Sequence, residues 1–75
     1  MSFCYDKLWE IAYQNRLNKT ALRDKVGITN ATLSRLSKNQ TVSMEVLGRI
    51  CQSFDCRIED IVEYNSESVE KNTDL

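Results

Sequence analysis

The 75-residue sequence contains no proline, no histidine and only two glycines, Gly27 and Gly48. Without proline or a glycine repeat it cannot form a collagen-like or polyproline chain, and a run of about 18 apolar residues able to span a membrane is also missing. The start, "MSFCYDKLWE", has no basic stretch followed by a long apolar core, so no secretory signal is expected and the expected location is cytoplasmic. Three cysteines, Cys4, Cys51 and Cys56, are an odd number, and no histidine accompanies them. The C-x4-C spacing of the last pair supplies at most two of four tetrahedral ligands, so buried free thiols are expected and no metal or other cofactor.

Catalytic chemistry has equally little to work with. There is no imidazole base and no glycine-rich phosphate loop, and the carboxylates cluster near the C-terminus, where Glu59 and Glu63 read as a solvated face. An enzyme is not expected.

Charge of one sign is scarce only when the chain is averaged. The formal net charge is −1, yet residues 16 to 49 hold seven basic side chains against Asp24 and Glu45, a local net of +5. Residues 58 to 75 hold Lys71 against six acids, a local net of −5. A polyanion responds to the field within a Debye length, about 8 to 10 Å in physiological salt, so a basic middle can serve a nucleic acid while an acidic end stays away.

What is present is helical periodicity. Tyr5, Leu8, Trp9 and Ala12, and later Met44, Leu47, Ile50, Cys51 and Phe54, recur at i, i+3, i+4 spacing, and alternating strand-like runs are missing. The expected fold class is all-α. Helix starts are marked by one pattern used three times: Leu17-Asn18 before Leu22, Ile28-Thr29 before Leu33, and Val42-Ser43 before Leu47. Each places a capping side chain between two apolar residues that clamp the entry of the chain, and each cap contributes about 1 kcal/mol.

These starts predict helices over about 4 to 15, 19 to 26, 30 to 38 and 44 to 54, and a short fifth over about 58 to 63 that buries Ile58, Ile61 and Val62. Arg57 is a poor cap for that last helix. Gly27 falls where the second helix must end by turning left-handed, leaving only "GIT" as the connection to the third. Residues 1 to 65 form the expected domain, and 66 to 75, polar and acidic, an expected flexible tail. Tyr5, Trp9 and Tyr13 lie at the spacing of a core-facing flank of the first helix and are given no nucleic-acid role.

Two short helices joined by a glycine-containing turn are the helix-turn-helix signature, whose second helix enters the DNA major groove. The stretches "LNKTALRDKVGITNATLSRLSKNQ", "SMEVLGRICQSFDC" and "IEDIV" resemble the Cro/C1-type, or Xre, regulators over about residues 17 to 63. Leu22, Val26, Ile28, Leu33 and Leu36 fall at that family's core positions and Gly27 at its turn glycine. The resemblance implies a compact five-helix, lambda-repressor-like DNA-binding domain that regulates transcription. The two ends of the chain look like those of small regulators found on mobile elements and resistance operons. One departure is Arg23, at a position usually small in the family; a long side chain there would snorkel outward and widen the crossing of the second and third helices.

On the third helix, a turn of about 100° per residue sets Leu33 and Leu36 on one side and Ala31, Ser34, Arg35 and Lys38 on the other, with Asn30 at the leading edge. Small side chains at 31 and 34 admit the helix axis into a groove about 12 Å wide, so that Arg35 reaches guanine and Asn30 adenine. Lys19 matches a family position at the groove edge and completes the expected base-reading set. Asn18, Thr29 and Lys38 are the expected phosphate contacts. One such helix reads about half a site, so a homodimer on double-stranded DNA is expected, with Ile61, Val62 and Tyr64 as candidate dimer residues. No membrane partner and no small-molecule effector are expected. The alternative is a protein-interaction module of the same fold, an antitoxin or a modulator of another regulator.

Overall fold

The computed structural model describes residues 2–65, so the expected acidic tail at 66–75 lies outside the described residues. The elements run β1 (Ser2–Cys4), α1 (Asp6–Gln14), α2 (Lys19–Val26), α3 (Asn30–Ser37), α4 (Met44–Phe54), a 3₁₀ turn (Ile58–Asp60) and β2 (Glu63–Asn65). None of these helices is long and apolar enough to cross a membrane.

The three repeated starts are caps. Asn18 Oδ1 accepts from the Ala21 N–H at 2.7 Å, Thr29 Oγ1 from Thr32 at 3.1 Å and Ser43 Oγ from Val46 at 3.1 Å. Each capping residue is extended, so its side chain folds back onto the first turn while the chain behind it leaves the helix axis. The ends are set differently. Gly27 is left-handed at φ 83°, and its N–H and that of Ile28 both bond to the Arg23 carbonyl, at 2.8 and 3.2 Å. A Cβ at Gly27 would meet nothing closer than Arg49 Nη1 at 3.6 Å, so it is backbone conformation, not space, that selects glycine there.

Leu8, Leu22, Leu36, Ile50 and Ile61 are fully buried and, with Tyr5, Ala12, Val26 and Leu47, form one core. Every helix contributes at least one of them, and burying each large aliphatic side chain contributes about 1.5 to 3 kcal/mol. Ile28 and Leu33 pack against this core half-buried.

The five-helix, all-α expectation is corrected at both ends of the chain. The first helix begins at Asp6, because residues 2–4 pair antiparallel with β2 in the register Ser2↔Asn65, Phe3↔Tyr64, Cys4↔Glu63. The expected fifth helix stops after one 3₁₀ turn. Asp60 turns back to accept the Arg57 N–H at 3.0 Å, and the β-branched pair Ile61-Val62 leads straight into the strand. Phe3 and Tyr64 face each other across the ladder with ring centroids 5.4 Å apart.

Three narrower expectations also change. Tyr13 is 82% exposed and takes no part in the core, whereas Tyr5 is buried and Trp9 half-buried. Ile61 is a core residue and offers no surface to a second copy. The cysteines are free but only half-buried. Burial raises the Cys56 thiol above its usual range, with the neighbouring Cys51 thiol adding to the effect.

Candidate nucleic-acid interface

The corner between α2 and α3 sets the geometry of the site. With its axis stopped at Val26 and restarted at Asn30, the chain has only Gly27, Ile28 and Thr29 in which to change direction. The left-handed glycine supplies the turn, half-buried Ile28 anchors it against the core, and Thr29 opens the new helix.

Burial of Leu36, and partial burial of Thr32 and Leu33, decides which face of α3 remains outside. Asn30, Ala31, Ser34, Arg35 and Lys38 are all exposed, at the spacing i, i+1, i+4, i+5, i+8 that traces one stripe along a helix. The structure therefore brings Asn30, Ala31, Ser34 and Arg35 of the expected readers onto one stripe, with Lys38, an expected phosphate contact, at its end. Arg35 and Lys38 have no hydrogen-bonding or ionic partner among the described residues, so their charged heads are available to a ligand.

Asn30 is not independent. Its Oδ1 accepts a hydrogen bond from Arg23 Nη1, while Arg23 Nη2 pairs with Asp24 at 3.0 Å. The long side chain thus bridges the corner between α2 and α3.

The flanking residues divide by what already occupies them. Lys19 is exposed, but its Nζ lies 4.8 Å from the centre of the Trp9 ring, a cation–π contact that holds the ammonium beside α1. Lys25 sits similarly over Phe54 at 5.6 Å. Asn18 spends its carbonyl oxygen on the cap and keeps its amide N–H groups. Thr29 uses its hydroxyl twice, accepting from the Thr32 N–H and donating to the Thr32 hydroxyl at 3.1 Å, so it is a cap first. Arg49 donates to the Gly27 carbonyl at 3.3 Å and lies 3.6 Å from Glu45, which places it at the C-terminal end of α2 and not on the outer stripe of α3.

Sequence reasoning missed two features beside this face. An open concavity next to Asn18 is lined by Tyr13, Gln14 and Arg16, the last held left-handed at φ 60°. Tyr5 clasps the α3–α4 connection: its N–H donates to Asn39 Oδ1 at 3.1 Å and its hydroxyl to the Gln40 carbonyl at 2.7 Å. Nothing in local periodicity signals a contact across 34 residues. Asn39 at a helix end, where left-handed backbone is common, was the available hint. Among the described residues, no group of three or more cysteine or carboxylate side chains is placed to hold a metal ion.

Residues 7–67 match the model of the Cro/C1-type helix-turn-helix DNA-binding domain. The chain is 36% identical over 56 residues to YozG of Bacillus subtilis (strain 168), described as an uncharacterised HTH-type transcriptional regulator; the match spans 72% of this chain and 67% of that one. It also superposes on a crystal structure of the transcriptional regulator VanUg with a TM-score of 0.79 and 37% identity, covering 83% of each chain.

Proposed function

This chain belongs to the Cro/C1-type helix-turn-helix DNA-binding family, and from that premise we propose that it is a sequence-specific transcriptional regulator that reads the major groove of duplex DNA with α3. The observation that carries the reading is the outer stripe of that helix. Ala31 and Ser34 are small and exposed, which admits the helix axis, and Arg35 beside them is exposed and unpaired among the described residues.

In this reading Arg35 donates two hydrogen bonds to guanine O6 and N7, a contact that discriminates by about 1 to 3 kcal/mol. Asn30, with its oxygen turned to Arg23, presents its amide N–H groups to the base edges, and Lys19 works from the groove edge beside Trp9. Lys38 and the Asn18 amide take backbone phosphates, which orient the protein without reading sequence, and Thr29 contributes through the helix start it caps.

Arg23 and Arg49 are spent on Asp24 and Glu45, so the +5 of the basic middle is carried by Arg16, Lys19, Lys25, Arg35 and Lys38. Two copies on a two-half-site operator, their α3 helices one DNA turn of about 34 Å apart, complete the recognition unit.

Selection from a random duplex library at fixed salt tests this. A recurring sequence with half-site symmetry is the expected result. Affinity that stays near the non-specific range, about 10⁻⁴ to 10⁻⁶ M at physiological salt, with no sequence enriched, would instead favour a protein-interaction role.

A further inference from the structure

Helix α4 ends on a pair of thiols. Asp55 stands left-handed at φ 52°, and the Cys51 carbonyl accepts both its N–H and that of Cys56, the latter at 3.0 Å. A bond from the sixth residue back to the first is the Schellman close of a helix, and it brings the side chains at its two ends together. Apolar residues commonly fill that contact. Here both are cysteines, and the Cys56 thiol is hydrogen-bonded to the Cys51 thiol.

Packing leaves the pair within reach of solvent. Cys51 and Cys56 lean on the core from outside and are free and half-buried. As small apolar side chains they would close the helix end by themselves. As thiols that touch, they also present two soft donors side by side. Oxidation suits them poorly, because burial, then the Cys51 thiol and the Asp60 and Asp55 carboxylates, holds the Cys56 thiol above its usual range, and oxidants attack the thiolate. A metal cation displaces the proton itself, and carboxylates that favour the proton favour a cation in its place. The number of ligands then selects the metal. The chain has no histidine, and among the described residues no group of three or more cysteine or carboxylate side chains is placed to hold an ion. Two sulfurs fall short of the four ligands of a structural zinc ion or of an iron–sulfur cluster. Copper(I), soft and content with two thiolates, fits the pair.

We infer that Cys51 and Cys56 form a two-sulfur binding site for copper(I). Each thiol gives up its proton as its sulfur bonds the ion, so one Cu⁺ enters, two protons leave and no electron is transferred. With one sulfur bound, the helix end holds the other beside it, so the second bond forms within the chain at a high effective concentration. The site closes the end of α4 opposite to its Ser43 cap, and it stands independently of the reading of α3.

The test uses the full chain, reduced and kept free of oxygen, titrated with copper(I) supplied as its coloured bicinchoninate complex. One ion per chain should transfer to the protein, and X-ray absorption should count two sulfur neighbours around it. Cys51→Ser and Cys56→Ser should each weaken binding by more than the roughly 10- to 100-fold that losing an outer partner of a metal ligand costs. Cys4→Ser, in β1, should leave it unchanged. A serine at the end of α4 can also disturb folding, so the wild type supplies a second measurement. One equivalent of copper(I) should shield Cys51 and Cys56 from iodoacetamide and leave Cys4 as reactive as before, read by peptide mass, and zinc(II) should shield neither. Any one of four results overturns the inference: one ion shared by two chains, three or more sulfur neighbours, an equal loss of binding in Cys4→Ser, or alkylation of Cys51 and Cys56 that copper(I) does not slow. Equal shielding by zinc(II) would also overturn it.

Discussion

Arg23 of α2 donates a hydrogen bond to Asn30, the first residue of α3, across the corner that joins the two helices. One guanidinium, pinned on its other side by Asp24, thereby sets how the Asn30 amide is turned. An asparagine that reads adenine uses its oxygen and its nitrogen together. With the oxygen facing Arg23, the amide is biased toward donating to N7, O6 or O4 acceptors.

Replacing Arg23 with alanine should therefore change base preference at the position beneath Asn30 while costing less than about 1 kcal/mol of stability, because its partners are exposed. Repeating the duplex selection with Arg23→Ala checks this. An unchanged preference at every position would remove Asn30 from the readers.

Arg35 and Lys38 should separate by mechanism. Arg35→Glu is expected to abolish sequence preference with the helical circular dichroism intact, since the side chain is exposed and without a partner among the described residues. Lys38→Ala should weaken all sequences alike and reduce the slope of log affinity against log salt by about 0.9. Binding isotherms over a salt series read both.

Asn18 combines a helix cap with an expected phosphate contact, and Asn18→Asp divides the two. Aspartate caps as well as asparagine does and favours the helix dipole, so the melting temperature should hold or rise. Its charge and missing amide should weaken binding to every duplex. Wild-type affinity in the variant would show that no phosphate lies near residue 18.

Tyr5 carries a pH dependence. Burial raises its hydroxyl above the ordinary value of 10.0, and the bond it donates to the Gln40 carbonyl exists only while it is protonated. A group whose folded value is raised contributes stability that is complete below the unfolded value and is lost as pH climbs through the folded one. Denaturation midpoints should therefore fall above about pH 10. Tyr5→Phe should cost about 1 kcal/mol at neutral pH and flatten that alkaline fall. An equally steep fall in the variant would assign it to other groups.

Asn39 has two jobs, accepting from the Tyr5 N–H and standing left-handed at φ 57°. Asn39→Gly keeps the conformation and loses the acceptor, whereas Asn39→Ala loses both. The alanine variant should be the less stable by about 1 kcal/mol, measured by urea denaturation. Equal stabilities would mean that the backbone angle there costs nothing.

Local sequence information was sufficient for the middle of this protein. Asn18, Thr29 and Ser43 define three helix starts through bonds that span three residues, Gly27 marks the turn by its own backbone freedom, and the period of Leu33 and Leu36 selects the outer face of α3. Such interactions are encoded within one turn of chain, so a linear reading reaches them. Tertiary structure decided the rest. The stretch from Ile58 to Asn65 is helix-like in spacing, yet it becomes a 3₁₀ turn and a strand because Ser2–Cys4, more than fifty residues earlier, offers it a ladder. Contacts between separate segments likewise hide Ile61, seat Lys19 on Trp9 and tie Tyr5 to Asn39. Each depends on two segments meeting in space. No periodicity within either segment records the meeting, which is why the outer face of α3 was legible in the sequence and the β1–β2 ladder was not.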